Sequence, residues 1–251
     1  MSSLWKQEVI FFDIWPASSL NRTLTLTGGP LDYGQYYAAR SGSGKVQSGS
    51  GRRVLFSATG WHNPPGLKLG PDCATQMHLI PRDLSLDSKN RLIITPIPEL
   101  ASLREEDERD TTNGTSGSSV ELRMNCTVGG TPSGMVGFDI LSTEDRTSFV
   151  RVGYDLSKKM LVVDHSHGGG PDSKIIQTAP LTLDAHEDVE LIILVDGALT
   201  EVFVNRRTVL SSFSTHVFDA TQSPEERWSY PLQPPAGVSC VHNAWSLKKP
   251  G

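Results

Sequence analysis

The segment Val120-Glu-Leu-Arg-Met-Asn-Cys-Thr-Val128 indicates the fold class, because its apolar and polar residues alternate one by one. In an extended strand, successive side chains point to opposite faces of the sheet. One face then carries Val120, Leu122, Met124, Cys126 and Val128, and the other carries Glu121, Arg123, Asn125 and Thr127. This alternation predicts a β-strand that covers a core on one side only.

Further short stretches of strand-like pattern follow this segment at close intervals. Glycine, proline, asparagine, aspartate or serine separates most of them, as the turns between neighbouring strands require. The additional predicted strands are residues 135–141, 148–154, 160–164, 175–177, 189–195, 200–205, 208–213 and 241–247. So many short strands over about 130 residues predict a sandwich of two antiparallel sheets.

The first hundred residues also show strand patterns, but the loops between them are longer. The predicted strands there are residues 8–14, 23–27, 35–39, 53–57, 75–80 and 91–95. Pro98 begins a stretch that favours one or two helical turns, and the segment 111–119 is rich in glycine, serine and threonine, as linkers are. We therefore expect a first domain over residues 1–104, a linker over 105–119 and a sandwich domain over 120–251.

The charge of the chain limits the classes of partner that it can bind. Its 251 residues include 23 Lys and Arg against 28 Asp and Glu, for a net charge of −5. A mildly acidic surface argues against nucleic acid and anionic membranes, because both need a basic face. No apolar run approaches the ~20 residues that cross a bilayer, and residues 1–6 lack the layout of a secretory signal. We expect no nucleic-acid and no membrane partner, and localisation stays open.

The cysteines leave two interpretations open. Cys73, Cys126 and Cys240 are widely spaced and form no C-x-x-C pair, which argues against a structural zinc site built from thiolates. We favour small buried apolar residues or free thiols, and the alternative is one disulfide with a leftover thiol. Glycosylation sequons, which matter only for a chain that enters the secretory route, begin at Asn21, Asn113 and Asn125.

Few residues suggest chemistry directly. The chain contains no G-x-S-x-G, H-E-x-x-H, Walker or dinucleotide-binding motif. His165 and His167 would share a face at a strand end, but a glycine-rich turn is favoured there over a metal site, and we expect no metal and no cofactor. Asp32 precedes Gly34 and stands among tyrosines, whose flat faces and hydroxyls suit a sugar ring. The alternative for Asp32 is a turn residue that caps a strand and accepts backbone N–H bonds.

Five blocks of sequence, in order, resemble segments of glycoside hydrolase family 32, the invertases and related fructan hydrolases. The first block, Leu31-Asp-Tyr-Gly-Gln-Tyr-Tyr-Ala-Ala39 with Arg52-Arg-Val-Leu55, is similar to the family's D-Y-G-x-x-Y-A…R-R-x-L stretch. The other four blocks are residues 76–87 (Q-x-x-x-x-P-R-x-L-x-L-D), 94–104 (P-x-x-E-L-x-x-L-R), 152–164 (V-G-Y-D…L-x-V-D) and 194–205 (V-D…E-V-F-V-N).

The resemblance implies an all-β chain: the last blades of a five-bladed β-propeller, followed by a β-sandwich of two antiparallel sheets. Family members are retaining enzymes that cleave terminal β-fructofuranosyl units from sucrose or fructans, so the implied partner is a carbohydrate of that type. Their nucleophile, transition-state stabiliser and general acid lie in W-M-N-D-P-N-G, R-D-P and E-C motifs. None of these motifs is present in this sequence. We therefore expect no catalytic residue in this chain and no activity by the chain alone.

Three candidate substrate-binding residues come from the first block: Asp32, Tyr33 and Gln35. Asp32 matches an aspartate that lies near the sugar site in the family. Gln35 stands where several plant members have a lysine that influences donor preference, so sucrose is not implied as the donor. Two alternatives stay open, a non-catalytic β-sandwich that binds a carbohydrate or another partner, and a degraded copy with only structural remnants. The oligomeric state also stays open.

Overall fold

The computed structural model of the chain describes residues 30–42, 52–59, 77–105, 114–168, 174–214 and 227–248. Regular structure in this part is almost entirely β-strand, and every strand pair is antiparallel. A short 3-10 helix covers Pro98–Leu103, with proline in its first turn, as the sequence predicts. None of the helical structure in these ranges is long and apolar enough to span a membrane.

The described strands form three sheets. In chain order the strands are β1 (Tyr37–Gly42), β2 (Arg53–Ala58), β3 (Arg82–Leu86), β4 (Leu92–Pro96), β5 (Thr115–Ser116), β6 (Ser119–Val128), β7 (Met135–Ser142), β8 (Val150–Asp155), β9 (Met160–Asp164), β10 (Ile176–Pro180), β11 (Val189–Asp196), β12 (Leu199–Val204), β13 (Thr208–Phe213), β14 (Trp228–Pro231) and β15 (Val238–Ser246). An N-terminal sheet has the order β1-β2-β3-β4, a six-stranded sheet β10-β9-β8-β7-β14-β5, and a five-stranded sheet β13-β12-β11-β6-β15.

The six-stranded and five-stranded sheets pack face to face and form the predicted sandwich. Alternate residues of β6 enter its core, where Val120, Leu122 and Met124 are at most 1% exposed. The opposite sheet contributes Phe138 and Val152, both fully buried. Burial of each such side chain stabilises the fold by about 1.5–3 kcal/mol relative to an exposed one. The alternation in β6 therefore predicts both the strand and its buried face.

A second core lies on the outer face of the five-stranded sheet, where the N-terminal sheet packs. It combines residues from both sheets and the segment before β1: Leu31, Leu55, Leu84, Ile94, Ile192, Leu194, Phe203 and Val209. The run Leu191-Ile-Ile-Leu194 is therefore apolar on both faces, because its odd-numbered residues enter the sandwich core and its even-numbered ones enter the second core. Whether the N-terminal sheet is one blade of a propeller stays a prediction.

Two strand predictions stay untested and others need correction. The stretches 8–14 and 23–27 lie outside the described residues. Within 75–80, the described part contains only a single bridge between His78 and Ala58, not a strand. The strand expected at 35–39 is β1, which begins at Tyr37, since the N–H groups of Tyr33 and Gln35 bond to β13 instead. The sequence also missed β14, a four-residue strand that ends in a proline.

The favoured interpretation of the cysteines was wrong for two of the three. Cys126 and Cys240 form a disulfide, while Cys73 lies outside the described residues. β6 and β15 are antiparallel neighbours, and the two cysteines are directly opposite each other with their Cα atoms 4.1 Å apart. Strand register therefore brings together two residues that are 114 positions apart in sequence.

Candidate functional site

The segment that contains the three predicted substrate-binding residues lies along the edge strand β13. The N–H groups of Tyr33 and Gln35 donate to the carbonyl oxygens of Val209 and Ser211, at 2.9 and 2.8 Å. Gly34 lies between them, and a Cβ atom there would stand 1.8 Å from the Ser211 carbonyl oxygen. Only glycine permits this close approach of the two backbones.

Asp32 turns its carboxylate inward, and its partners all belong to the protein. Its Oδ1 atom accepts the N–H groups of Gly34 (2.8 Å) and Ser211 (2.9 Å), so it caps both the turn and the strand edge. Its Oδ2 atom accepts the Ser211 hydroxyl (2.6 Å) and Arg82 Nη2 (2.8 Å). The side chain of Asp32 is closed to solvent. The turn-capping alternative correctly describes the backbone contacts, and a sugar contact by Asp32 stays a prediction.

Arg82 is the centre of a buried polar cluster, which we call the Arg82 cluster and which consists of Asp32, Arg82, Glu201 and Ser211. Its Nη2 atom donates to Glu201 Oε2 (2.6 Å) and to the Ser211 hydroxyl (2.9 Å) in addition to Asp32. Glu201 Oε1 also accepts the backbone N–H of Ile80 at 2.7 Å. The cluster therefore joins the N-terminal sheet, the turn before it and the five-stranded sheet.

Two aromatic rings enclose the guanidinium of Arg82. Its Cζ atom lies 5.2 Å from the centre of the Tyr36 ring and 5.3 Å from that of Phe203. Rings at this distance attract a cation through their electron-rich faces. Within the described part of the chain, the Nε and Nη1 atoms of Arg82 have no hydrogen-bond partner, so the rings cover donors that no acceptor satisfies.

Burial and charge shift the pKa values in this cluster in a consistent direction. Burial raises the pKa of the Glu201 carboxyl, and the positive charge of Arg82 offsets part of that rise. Burial would lower the pKa of Arg82, but the charges of Asp32 and Glu201 outweigh it and raise that pKa. Burial also raises the pKa of Tyr36 to about 12. The arrangement is suited to holding two layers together, because it pairs one cation with two carboxylates away from water.

The structure places the three predicted substrate-binding residues in one turn, beside two charged residues, Arg82 and Glu201, that the sequence analysis did not single out. Tyr33 and Gln35 are half-buried beside the enclosed Asp32. Arg82 and Glu201 lie within the family blocks, and the sequence pattern assigns no role to either of them. Each stands on a strand face that is otherwise apolar, and a charge at such a position requires a buried partner. A charged residue on an apolar strand face was therefore the sequence signal that could have identified Arg82 and Glu201.

The two histidines considered for a metal site lie in different environments. His165 is 1% exposed and its Nε2 atom lies 2.9 Å from the Ser212 hydroxyl. His167 is exposed and stacks on Phe149, with ring centres 4.4 Å apart. The two rings do not share one face, because the chain turns directly after β9, in agreement with the favoured interpretation of a turn at this position.

A cavity of about 250 Å³ lies between the 3-10 helix and the five-stranded sheet. Its lining includes Ile97, Leu100, Leu194, Arg104, Glu121 and Arg123. Arg104 donates two hydrogen bonds to the Glu121 carboxylate, at 2.8 and 2.7 Å, and Arg123 donates a third at 2.7 Å. Burial would raise the pKa of Glu121, but these hydrogen bonds outweigh burial and lower it. The three predicted substrate-binding residues do not line this cavity.

Comparisons with known proteins agree on one family. The family model described as "Glycosyl hydrolases family 32 C terminal" matches residues 99–225. A levanase from Bacillus subtilis (strain 168) is 29% identical over 195 residues, which cover 69% of this chain and 28% of the levanase. The chain therefore spans less than a third of that relative's length.

Solved structures support the same fold. Fructan 1-exohydrolase IIa from Cichorium intybus superposes with a TM-score of 0.66 at 18% identity, over 90% of this chain and 51% of that one. Exo-inulinase from Aspergillus awamori gives a TM-score of 0.66 at 19% identity, over 87% of this chain and 44% of that one. At this level of identity the likeness shows the fold alone, and it extends beyond the sandwich into the N-terminal sheet.

Proposed function

The chain belongs to glycosyl hydrolase family 32, and from that premise we propose that it is the C-terminal portion of an enzyme that hydrolyses terminal β-fructofuranosyl bonds in sucrose or fructans. The observation that carries the proposal is the family match over residues 99–225, which covers the sandwich strands from β5 to β13. The names of its relatives, a levanase, an exo-inulinase and a fructan exohydrolase, support the substrate class.

In this proposal, residues 1–104 are the end of a propeller domain, and a linker over residues 105–119 leads to the sandwich domain of residues 120–251. The end of the linker already pairs with the sandwich, because Thr115–Ser116 is β5 of the six-stranded sheet. The second core and the Arg82 cluster support a fixed attachment of the N-terminal sheet, because both join it to the outer face of the five-stranded sheet. An apolar core together with a buried ion pair disfavours independent movement of the two parts.

The catalytic groups, we propose, are supplied by sequence outside these residues. Glycoside hydrolysis of the retaining type needs a carboxylate nucleophile and a carboxylic acid at a separation of about 5 Å. The W-M-N-D-P-N-G, R-D-P and E-C motifs that would carry them do not occur in this sequence. Without proton donation and a nucleophile, the chain alone has no route to useful turnover.

Asp32, Tyr33 and Gln35 are proposed as contacts or supports for the donor sugar once the catalytic part is present. Tyr33 and Gln35 are half-buried and so have surface left for a ligand. The carboxylate oxygens of Asp32 accept hydrogen bonds from Ser211, Gly34 and Arg82. These bonds support a role for Asp32 in holding the turn that contains Tyr33 and Gln35.

Two measurements test the proposed function. Incubation of the chain with sucrose, inulin and levan should release no free fructose above a blank without protein. Sequencing of the transcript upstream of Met1 should reveal codons for motifs similar to W-M-N-D-P, R-D-P and E-C. Fructose release by the chain alone would overturn its assignment as inactive, and upstream sequence without these motifs would overturn its assignment to a hydrolase.

A further inference from the structure

The outer face of the six-stranded sheet carries a row of side chains that the proposed function does not use. One residue from each of five neighbouring strands contributes to the row, in register: Tyr230, Asp139, Arg151, Asp164 and Ile176. Neighbouring strands are about 4.8 Å apart, so the row is about 19 Å long. That length exceeds a single monosaccharide ring severalfold.

Two pairs of aromatic rings flank the middle of this row. Trp228 and Tyr230, two residues apart on β14, lie nearly parallel, with ring centres 6.0 Å apart and an interplanar angle of 14°. Phe149 and His167 stack at 4.4 Å and 16°. The second pair is fixed by its backbone, since the Phe149 N–H donates to the His167 carbonyl oxygen at 3.3 Å. Trp228, Tyr230 and Phe149 are half-buried and His167 is exposed, so each of these residues keeps some solvent-accessible surface.

Two arginines and one aspartate connect the aromatic pairs. Asp139 is 3% exposed and accepts two hydrogen bonds from Arg151, at 2.8 and 3.0 Å. Arg146 lies 3.8 Å from the same carboxylate. Each arginine also covers a ring, with Arg146 4.5 Å from the centre of Tyr230 and Arg151 5.1 Å from that of Phe149. The planar groups are thus held in place before any ligand arrives, which reduces the entropy lost on binding.

The charges of this face favour a neutral ligand. Arg146 and Arg151 both pair with Asp139, and Arg151 also interacts with Asp164, so neither guanidinium is left as a free cation for an anionic ligand. Rings supply flat apolar surface, and the guanidinium groups supply N–H donors beyond those that Asp139 uses. A sugar chain has the matching features, namely apolar C–H faces and many hydroxyl oxygens without charge.

We propose that this face is a non-catalytic binding platform for a neutral oligosaccharide. The aromatic platform, as we call it, consists of Trp228, Tyr230, Phe149 and His167 with Arg146, Asp139 and Arg151. The corresponding face of the five-stranded sheet is covered by the N-terminal sheet and is not available for the same role. A protein partner fits less well, because the centre of a protein interface is depleted of charge and this row has an ion pair at its middle.

Isothermal titration calorimetry on the full 251-residue chain tests the platform without requiring catalysis. The probes are inulin-type, levan-type and malto-oligosaccharides, all of them neutral. At least one should bind, and Trp228→Ala should raise its dissociation constant by about tenfold or more, as expected when one ring of a stacking site is removed. Phe149→Ala should weaken binding as well, and it lies outside the strands, so the sheet stays intact. The matched control is Phe56→Ala, which removes an exposed ring from the N-terminal sheet and should leave binding unchanged.

Binding that is weakened by both platform variants and not by Phe56→Ala supports the proposal. No heat with any probe at millimolar concentration overturns it, as does binding that both platform variants leave unchanged. Loss of binding in the Phe56→Ala control overturns it too. These outcomes are independent of fructose release and of the upstream motifs. A platform that binds only malto-oligosaccharides supports the inference while counting against fructan as the ligand of this face.

Discussion

Arg82 and Glu201 are 119 residues apart in the chain, yet Arg82 Nη2 donates a 2.6 Å hydrogen bond to Glu201 Oε2 at a site closed to solvent. The bond joins β3 of the N-terminal sheet to β12 of the sandwich. Because Asp32 shares the same guanidinium, a single cation faces two carboxylates at the junction. The stability of the junction therefore depends on the charge of Arg82.

Arg82→Met should lower the free energy of unfolding by about 3–5 kcal/mol, because it leaves two buried carboxylates without a counter-charge. Urea denaturation followed by circular dichroism measures this change. Arg52→Ala is the matched control, since Arg52 forms its ion pairs with Asp83 and Glu99 at the surface. Its cost should stay below about 1 kcal/mol. Equal costs for the two variants would contradict a special role for the Arg82 cluster.

The raised pKa of Glu201 predicts how the stability of the fold depends on pH. Its pKa in the folded chain lies above the ordinary value of 4.5, chiefly because the carboxyl is buried. A group of this kind contributes stability that is complete below the unfolded pKa and is lost as pH rises through the folded pKa. Glu201→Gln removes this pH-dependent loss of stability, because glutamine does not ionise. The stability of the variant relative to wild type should therefore increase as pH rises above the ordinary glutamate pKa of 4.5.

Denaturant titrations of both proteins at a series of pH values measure this difference. The control is Glu190→Gln, because Glu190 is partly exposed and pairs with Arg206 at the surface. A difference between Glu201→Gln and wild type that does not change from about pH 4 to pH 8 would refute the assignment.

The disulfide predicts that its removal destabilises the fold, and it predicts how many free thiols the chain contains. It closes a loop of 114 residues, so Cys126→Ser with Cys240→Ser should lower the free energy of unfolding by about 4–5 kcal/mol in the chain-entropy account. Alkylation of the unreduced, unfolded chain should label one of the three cysteines, and prior reduction should expose all three. A reducing agent should lower the stability of wild type and leave the double variant unchanged. Three labelled thiols without reduction would exclude the disulfide.

Sequence alone was sufficient to predict strands whose burial follows from the alternation of apolar and polar residues along the chain. The alternation of Val120–Val128 predicts β6 and its buried face, and the strand expected at 189–195 is β11, although its burial on both faces was not predicted. The disulfide was not predictable in this way, because it depends on the register between β6 and β15, which no local pattern carries.

Local patterns indicate the Arg82 cluster only in part, because a charge on an otherwise apolar strand face implies a buried partner but does not say which one. Glu201 lies on the outer face of the sandwich, where a charged residue normally meets water. Glu201 is buried because the N-terminal sheet covers that face. The packing of one sheet on another depends on contacts between residues that are distant in sequence. The resemblance to a family placed Asp32 in a functional segment, but only the structure identifies its hydrogen-bond partners as Arg82, Ser211 and Gly34.

In a form of the protein that includes the catalytic part, Asp32→Ala should raise KM and lower kcat for fructosyl donors. The reason is that the turn with Tyr33 and Gln35 loses its cap on Ser211 and its anchor on Arg82. Steady-state assays of fructose release measure both constants. Ser211→Ala is the control for packing, since it removes one hydroxyl partner and keeps the carboxylate. Kinetics unchanged by Asp32→Ala would show that neither Asp32 nor the turn it caps affects the donor site.

Gly34→Ala should destabilise the junction by about 1–3 kcal/mol or more, the range for an atom forced into filled space. The added Cβ atom would lie 1.8 Å from the Ser211 carbonyl oxygen, which already accepts the N–H of Gln35. The obstacle is backbone rather than a flexible side chain, so the turn must move away from β13 and weaken the contacts of Asp32. Hydrogen exchange should show the effect as faster exchange at Tyr33, Gln35 and Ser211, with β6 protected as before. Uniformly faster exchange across both sheets would instead indicate that the turn is part of the sandwich's own folding unit.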